Sequence, residues 1–228
     1  MKIAICLQGL SAGKSDVAAR GHQNRIEGNF QSCIDGSLLS IFKNHSVDFF
    51  THTWGNESAP LISHNIKPVK STYETPIQFA PKGDYKHSVK SRWYSTYKSI
   101  ELLEKHIIET GTLYDFVFFS RYDVRYFTDF DLNSLEKDKF YASHWVTEDP
   151  GADGLLDYWF LCNQEDAIKF GKLYQHIDEL LEKDPYPSSH WLSMRWLQKL
   201  KLDNRLAFIK HEKKDFNLTR RVEGWTQL

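Results

Sequence analysis

The chain has 228 residues and an almost balanced charge, with 29 lysines and arginines against 30 aspartates and glutamates. A net charge of -1 gives no support for binding to nucleic acid or to an anionic membrane surface. No apolar run reaches the ~18 residues that a membrane span needs, and the N-terminus lacks the pattern of a signal peptide. We therefore expect a cytoplasmic protein, in which Cys6 and Cys162 are buried free thiols of a reducing compartment.

The first predicted strand, residues 2–7, leads into a turn that contains glycine. Gly9 and Gly13 enclose three residues, whereas the phosphate-binding P-loop needs four, so the spacing argues against that loop. A glycine after the first strand still lets a nucleotide approach the backbone closely. Gly9 and Ser11 are therefore candidate nucleotide contacts. An alternative function, nucleotide-dependent phosphoryl or sulfuryl transfer, would depend on Lys14 in this loop.

The next segments predict a helix, a strand and an irregular excursion. Apolar residues at helical spacing predict a helix over 24–44, and residues 47–54 predict a strand that ends near His52. Residues 55–90 contain four prolines and predict irregular structure around a short strand at 67–72.

A second helix is predicted over 88–109, ended by Gly111. Arg92 and Ser95 share one face of it, with Lys98 beside them. Two interpretations of this basic helix start remain open. The backbone N–H groups and the cations bind an anion such as a diphosphate, or the face is simply solvated.

The most informative segment is 114–120, whose residues 116–119 are all apolar and predict a central strand covered on both faces. Arg121 and Asp123 follow it directly. Ligands of open α/β sheets bind beyond the carboxyl ends of the strands. These two side chains are therefore expected at a functional edge.

The second half predicts strands at 139–145, 155–162 and 206–210, and helices at 163–183 and 189–200. The first helix of this half is capped by Asn163. Strands alternate with helices in the first half, and no segment resembles a linker. The sequence therefore predicts a single α/β domain with a mostly parallel sheet flanked by helices.

Polar residues concentrate at the predicted strand ends and indicate one cleft. Asp123 is the candidate ligand of a divalent cation, which would bridge the oxygens of a diphosphate. Asp157 is the first candidate for a general base toward an acceptor hydroxyl, ahead of Glu148, Asp149 and Asp153. The residues grouped at this edge are Ser11, His52, Arg121, Asp123, His144 and Asp157.

Several segments resemble small GT-A-type glycosyltransferases, which occur in gene clusters for surface polysaccharides and in some viruses. The segments are residues 2–7, 49–54, 94–99, 114–124, 157–161 and 216–220. The resemblance implies a Rossmann-like half at 1–125 that binds a nucleotide sugar, and an acceptor-side half at 126–228. It also implies Mn²⁺ or Mg²⁺, and sugar transfer to a hydroxyl of a glycan acceptor.

The same resemblance assigns residues. GT-A enzymes usually carry Asp-x-Asp at this strand end, and Arg121 stands in the first position while Asp123 stands in the second, which commonly ligates the metal. Two alternatives follow for this departure: metal binding survives at Asp123, or Arg121 neutralises the phosphate directly and the metal dependence is weaker. Asp157 becomes the candidate catalytic carboxylate, and His190 or His211 would complete the metal shell. The nucleotide contacts expected from the residue patterns are Gly9, Ser11, Arg92, Ser95, Lys98 and Arg121. A further alternative is a non-catalytic module that binds nucleotide or carbohydrate.

Overall fold

The computed structural model describes residues 1–9, 11, 38–56, 59–81, 83–144, 154–183 and 188–218. These residues form nine strands and five helices. The strands are β1 Lys2–Gly9, β2 Ser46–Trp54, β3 Lys70–Glu74, β4 Phe116–Arg121, β5 Val124–Tyr126, β6 Phe140–His144, β7 Trp159–Cys162, β8 Leu206–His211 and β9 Phe216–Leu218. The helices are α1 Ala59–Ile66, α2 Tyr85–Thr110, α3 Gln164–Gly171, α4 Ile177–Glu182 and α5 Ser189–Lys199.

Seven strands form one mixed sheet with the order β3-β2-β1-β4-β7-β6-β8. Every neighbouring pair is parallel except the two that involve β7, which runs against both β4 and β6. The predicted α/β class with a mostly parallel sheet is confirmed. β5 and β9 form a separate antiparallel pair that the sequence analysis missed, because three-residue strands show no measurable periodicity.

The central strand β4 is buried on both faces, as predicted. Residues 116–119 have no exposed surface, and successive side chains enter opposite layers. Val117 and Phe119 pack with α2 and α3, including Trp93. Phe116 and Phe118 pack with α1 and with the turn at 38–44. This two-sided burial fixes the position of the strand end that carries Arg121.

Helix α2 differs from its prediction in a way that affects the site. It begins at Tyr85, where the Asp84 carboxylate caps it by accepting from the N–H of Lys86 at 2.8 Å. Arg92 therefore lies in the third turn, where backbone N–H groups already serve the helix. The interpretation of Arg92 as part of a helix-start anion site is wrong. The predicted end is confirmed, since Gly111 adopts φ +68° and donates to Ile107 O.

Three other boundaries were misread. Helix α1 was missed because Pro60 was taken as a helix breaker, although proline fits the first turn, where its N–H is not needed. The strand predicted at 67–72 corresponds to β3, which begins and ends later, at Lys70 and Glu74. The helix predicted over 163–183 is interrupted by a 3₁₀ segment, Lys172–His176, which follows the close packing of Gly171 on Ile100.

Several predictions concern residues that the structure describes only in part. The helix predicted over 24–44 falls mostly outside the described residues. Its described end is wrong, since residues 39–44 form turns. Leu38, Ile41 and Phe42 in this segment are buried. Cys6 and Cys162 are buried free thiols, as predicted. Within the described ranges, none of the helices combines the length and the apolarity needed to cross a bilayer.

Candidate functional site

The carboxyl ends of β1, β2, β3 and β4 meet at one edge of the sheet because these strands are parallel. β7 runs the other way, so its first residue, Trp159, pairs with Ser120 near the end of β4. Asp157, two residues before β7, is thereby brought to this edge. The prediction placed Asp157 at the correct edge but for the wrong reason, since it precedes an antiparallel strand.

Arg121, the last residue of β4, forms a two-point ion pair with Asp123 in the turn that follows. Arg121 Nε donates to Asp123 Oδ1 at 2.7 Å, and Nη2 donates to Oδ2 at 2.6 Å. The Arg121 guanidinium also lies over the ring of Tyr158, 5.4 Å from its centroid. The two side chains are only 13% and 9% exposed. Such a fork fixes the orientation of both groups.

Asp157 joins a second arginine to this pair. Arg92 Nη2 donates to the Asp157 backbone oxygen at 2.7 Å, and Arg92 Nε lies 3.4 Å from its Oδ2. Arg121 Nη1 lies 3.8 Å from Asp157 Oδ1. We call Arg92, Arg121, Asp123 and Asp157 the Arg–Asp quartet. Its formal charge is zero, with two guanidiniums and two carboxylates.

Burial and the neighbouring charges act differently on the two arginines. Burial lowers the pKa of Arg92 to about 10, and the attraction of Asp157 offsets only part of this shift. Burial also disfavours charged Arg121, but Asp123 and Asp157 outweigh it and raise its pKa above the ordinary value. Both guanidiniums are therefore protonated at neutral pH.

His190 borders the quartet from the first turn of α5. Its Nδ1 lies 3.4 Å from Asp157 Oδ1, 3.1 Å from Leu155 O and 3.2 Å from the Asp157 N–H. Gly154, at φ +89°, makes this approach possible, since a Cβ there would lie 2.2 Å from His190 O. The segment that carries Asp157 is thus packed directly onto α5.

Gln8 is a site residue that the sequence analysis missed. It is fully buried at the end of β1, where it pairs in register with Arg121. The amide is assigned the orientation that satisfies its neighbours, in which its oxygen accepts from Arg92 Nη1 at 2.8 Å and Nη2 at 3.1 Å, while its nitrogen donates to Thr96 Oγ1 at 2.7 Å. A glutamine that ends an apolar strand was the available signal, because a buried amide needs partners.

A second buried group holds the turn after β1. The Gly9 N–H donates to Ser95 Oγ at 2.7 Å, and Ser95 Oγ lies 2.7 Å from His52 Nδ1. His52 Nε2 lies 3.4 Å from Glu74 Oε2, which also accepts from Tyr94 Oη at 2.9 Å. Gly9 adopts φ +107°, which favours glycine. Ser95 is therefore placed behind the turn and holds it.

The other predicted residues make contacts of their own. Ser11 Oγ bonds to Thr53 Oγ1 at 2.7 Å, and Lys98 pairs with Glu101 at 2.6 Å. His211 stacks on His144 at 4.3 Å in β8, three strands or about 14 Å from β4. The structure thus does not bring His211 to Asp123. Lys14, Glu148, Asp149 and Asp153 lie outside the described residues.

The predicted divalent cation fits the quartet poorly. Both oxygens of Asp123 already accept from Arg121, and two guanidiniums border the position that a cation would take. Among the residues that the structure describes, no three His, Cys, Asp or Glu side chains are arranged to hold a metal ion. The cation at Asp123 stays a prediction.

His52 gives the first testable prediction. Burial lowers its pKa from 6.5 to about 4, so the folded protein resists the proton that the unfolded chain takes up below pH 6.5. Stability is therefore lost as the pH falls from 6.5 toward 4, by about 2 kcal/mol between pH 7.5 and pH 5. Urea unfolding at both pH values measures this loss. His52→Gln should reduce the loss, whereas His64→Gln, on the exposed face of α1, should leave it unchanged.

No protein-family model and no curated protein sequence matches the chain. Solved structures do match it, and two of them illustrate the similarity. One is a nucleoside-diphosphate-sugar pyrophosphorylase from Vibrio cholerae RC9, at 12% identity over 94% of this chain and 93% of that one, with a TM-score of 0.49. The other is a glycosyltransferase involved in glycosylation of the major capsid of PBCV-1, at 10% identity, 95% and 92% coverage, and a TM-score of 0.48. Similarity below a TM-score of 0.5 identifies no function, so the proposal below depends on the chain's own residues.

Proposed function

We propose that the protein is a glycosyltransferase that moves a sugar from a nucleoside-diphosphate sugar to a hydroxyl of a glycan acceptor. One observation carries the proposal: the Arg–Asp quartet at the carboxyl edge of β4. The quartet places two buried guanidiniums beside the Asp157 carboxylate. Guanidiniums bind diphosphate oxygens, and a carboxylate can accept the proton of a hydroxyl. Gly9 stands next to it on the neighbouring strand, where a nucleotide would approach the backbone.

The reaction assigns a role to each group. The acceptor oxygen forms a bond to the anomeric carbon while the bond from that carbon to the diphosphate oxygen breaks. The hydroxyl proton goes to the Asp157 carboxylate, and Arg121 and Arg92 stabilise the negative charge on the leaving diphosphate. Gly9, Ser11 and Lys98 remain predicted contacts of the nucleotide, and the predicted contact Ser95 would act through the Gly9 turn that it holds. Mn²⁺ or Mg²⁺ would supply further charge neutralisation if bound.

Thermal stability in the presence of nucleotide sugars tests the proposal. We expect at least one donor from a panel of UDP-, GDP-, ADP-, CDP- and dTDP-sugars to raise the unfolding temperature by about 5 °C or more when saturating. Slow release of the nucleoside diphosphate should accompany it, measured by chromatography. Inorganic phosphate is the control ligand. Neither stabilisation nor release across the panel, with manganese and with EDTA, would refute the function.

A further inference from the structure

Both oxygens of the Asp123 carboxylate accept hydrogen bonds from Arg121. The two groups meet through parallel bonds of 2.7 and 2.6 Å, and both are nearly buried. They lie two residues apart, at the last residue of β4 and in the turn that follows, so the pair forms from a single local segment. A cation at Asp123 would have to share or displace this fork. The pair therefore opposes a metal at the position where the sequence predicts one.

The surrounding charge points the same way. Arg92 Nε lies 3.4 Å from Asp157, and Arg121 Nη1 lies 3.8 Å from the same carboxylate. A divalent ion between Asp123 and Asp157 would face both guanidiniums at short range. Like charges repel strongly where water is excluded, because little solvent screens them. The site already contains the positive charge that a metal would bring.

The Nη1 nitrogen of Arg121 is available to donate a hydrogen bond to a ligand. Its Nε and Nη2 are used by Asp123, whereas Nη1 has Asp157 Oδ1 at 3.8 Å, beyond hydrogen-bond range, and makes no hydrogen bond within the described part of the chain. The ion pair to Asp123 and the ring of Tyr158 fix the plane of the guanidinium. Nη1 is thus an oriented cationic donor, as phosphate recognition requires.

We propose that Arg121 binds the donor diphosphate directly through Nη1, that Asp123 orients Arg121 instead of ligating a metal, and that nucleotide binding needs no divalent cation. This inference rests on the proposed glycosyltransferase function. Asp123 is then a positioning residue, since it acts through Arg121.

Calorimetric titration of UDP, GDP, ADP, CDP and dTDP, in EDTA and in manganese, tests the inference on the folded protein. We expect one nucleoside diphosphate to bind with the same affinity in EDTA and in manganese. Arg121→Gln should weaken it by about 10–100-fold in EDTA, the loss typical of one charged hydrogen bond. Arg125→Gln, an exposed arginine in β5, should leave the affinity unchanged.

Arg121→Gln leaves two buried carboxylates facing one guanidinium, so the charge-balanced double variant Arg121→Gln/Asp123→Asn is measured beside it. A similar loss in both variants, with an intact unfolding transition, supports the inference. Wild-type binding that appears only with manganese would overturn it and leave the proposed function standing. Unchanged affinity of Arg121→Gln would also overturn it. Absence of binding under both conditions would overturn the inference and the proposed function together.

Discussion

Replacing Asp157 with asparagine is expected to lower the rate of sugar transfer by about 10²–10⁴-fold, the usual contribution of a general base. The amide keeps the shape of the side chain but cannot take the proton of an acceptor hydroxyl. Removal of one negative charge also leaves Arg92 and Arg121 facing Asp123 alone. The affinity for nucleoside diphosphate should therefore stay equal or increase. Initial rates with a donor and a glycan acceptor, together with calorimetric titration, measure the two effects separately.

A lower transfer rate combined with an unchanged or higher nucleotide affinity distinguishes an effect on catalysis from an effect on folding. Asp157 is buried between two guanidiniums, so the variant should lose about 3–5 kcal/mol of stability, as broken buried ion pairs do. Partial unfolding would lower transfer and nucleotide binding in parallel. Asp203→Asn, at an exposed position, serves as the matched control. Transfer within tenfold of the wild type would remove Asp157 as the base, and a wild type that binds donors without any turnover would be a binding module.

The parts of the fold that depend on burial could be predicted from the sequence. Four consecutive apolar residues at 116–119 identified the central strand because only a two-sided core accepts them. Gly111 identified a helix end because its positive φ excludes most other residues. Both signals are local, and each arises from a constraint that few residue types satisfy.

The site could be predicted only in part because its contacts join distant segments. Arg92 and Asp157 are 65 residues apart, and the sequence does not show that β7 reverses direction and brings them together. Gln8 was overlooked because its partners lie on α2. The pairing of Arg121 with Asp123 is the most consequential example. The spacing identified both residues, but only side-chain geometry shows that they bind each other.

Arg121→Asp should change the ionic requirement of the site, and it is the strongest test of how the diphosphate is held. The quartet would change from two cations and two carboxylates to one cation and three carboxylates, that is, from a charge of 0 to −2. Loss of the oriented guanidinium and gain of a repelling carboxylate should weaken nucleoside diphosphate binding in EDTA by about 100-fold or more. Titration of the same nucleotide in EDTA measures this loss.

Manganese should restore part of the binding to this variant, although it should have little effect on the wild type. The introduced carboxylate, together with Asp123 released from its fork with Arg121 and with Asp157, would offer the oxygen ligands that hard divalent cations prefer. Arg125→Asp makes the same charge change at an exposed position and should leave binding unchanged in both conditions. Wild-type affinity retained by Arg121→Asp in EDTA would show that Arg121 does not contact the diphosphate. A response to manganese in the variant and none in the wild type would mean that the guanidinium occupies the place of the metal, because one substitution would then exchange one source of positive charge for the other.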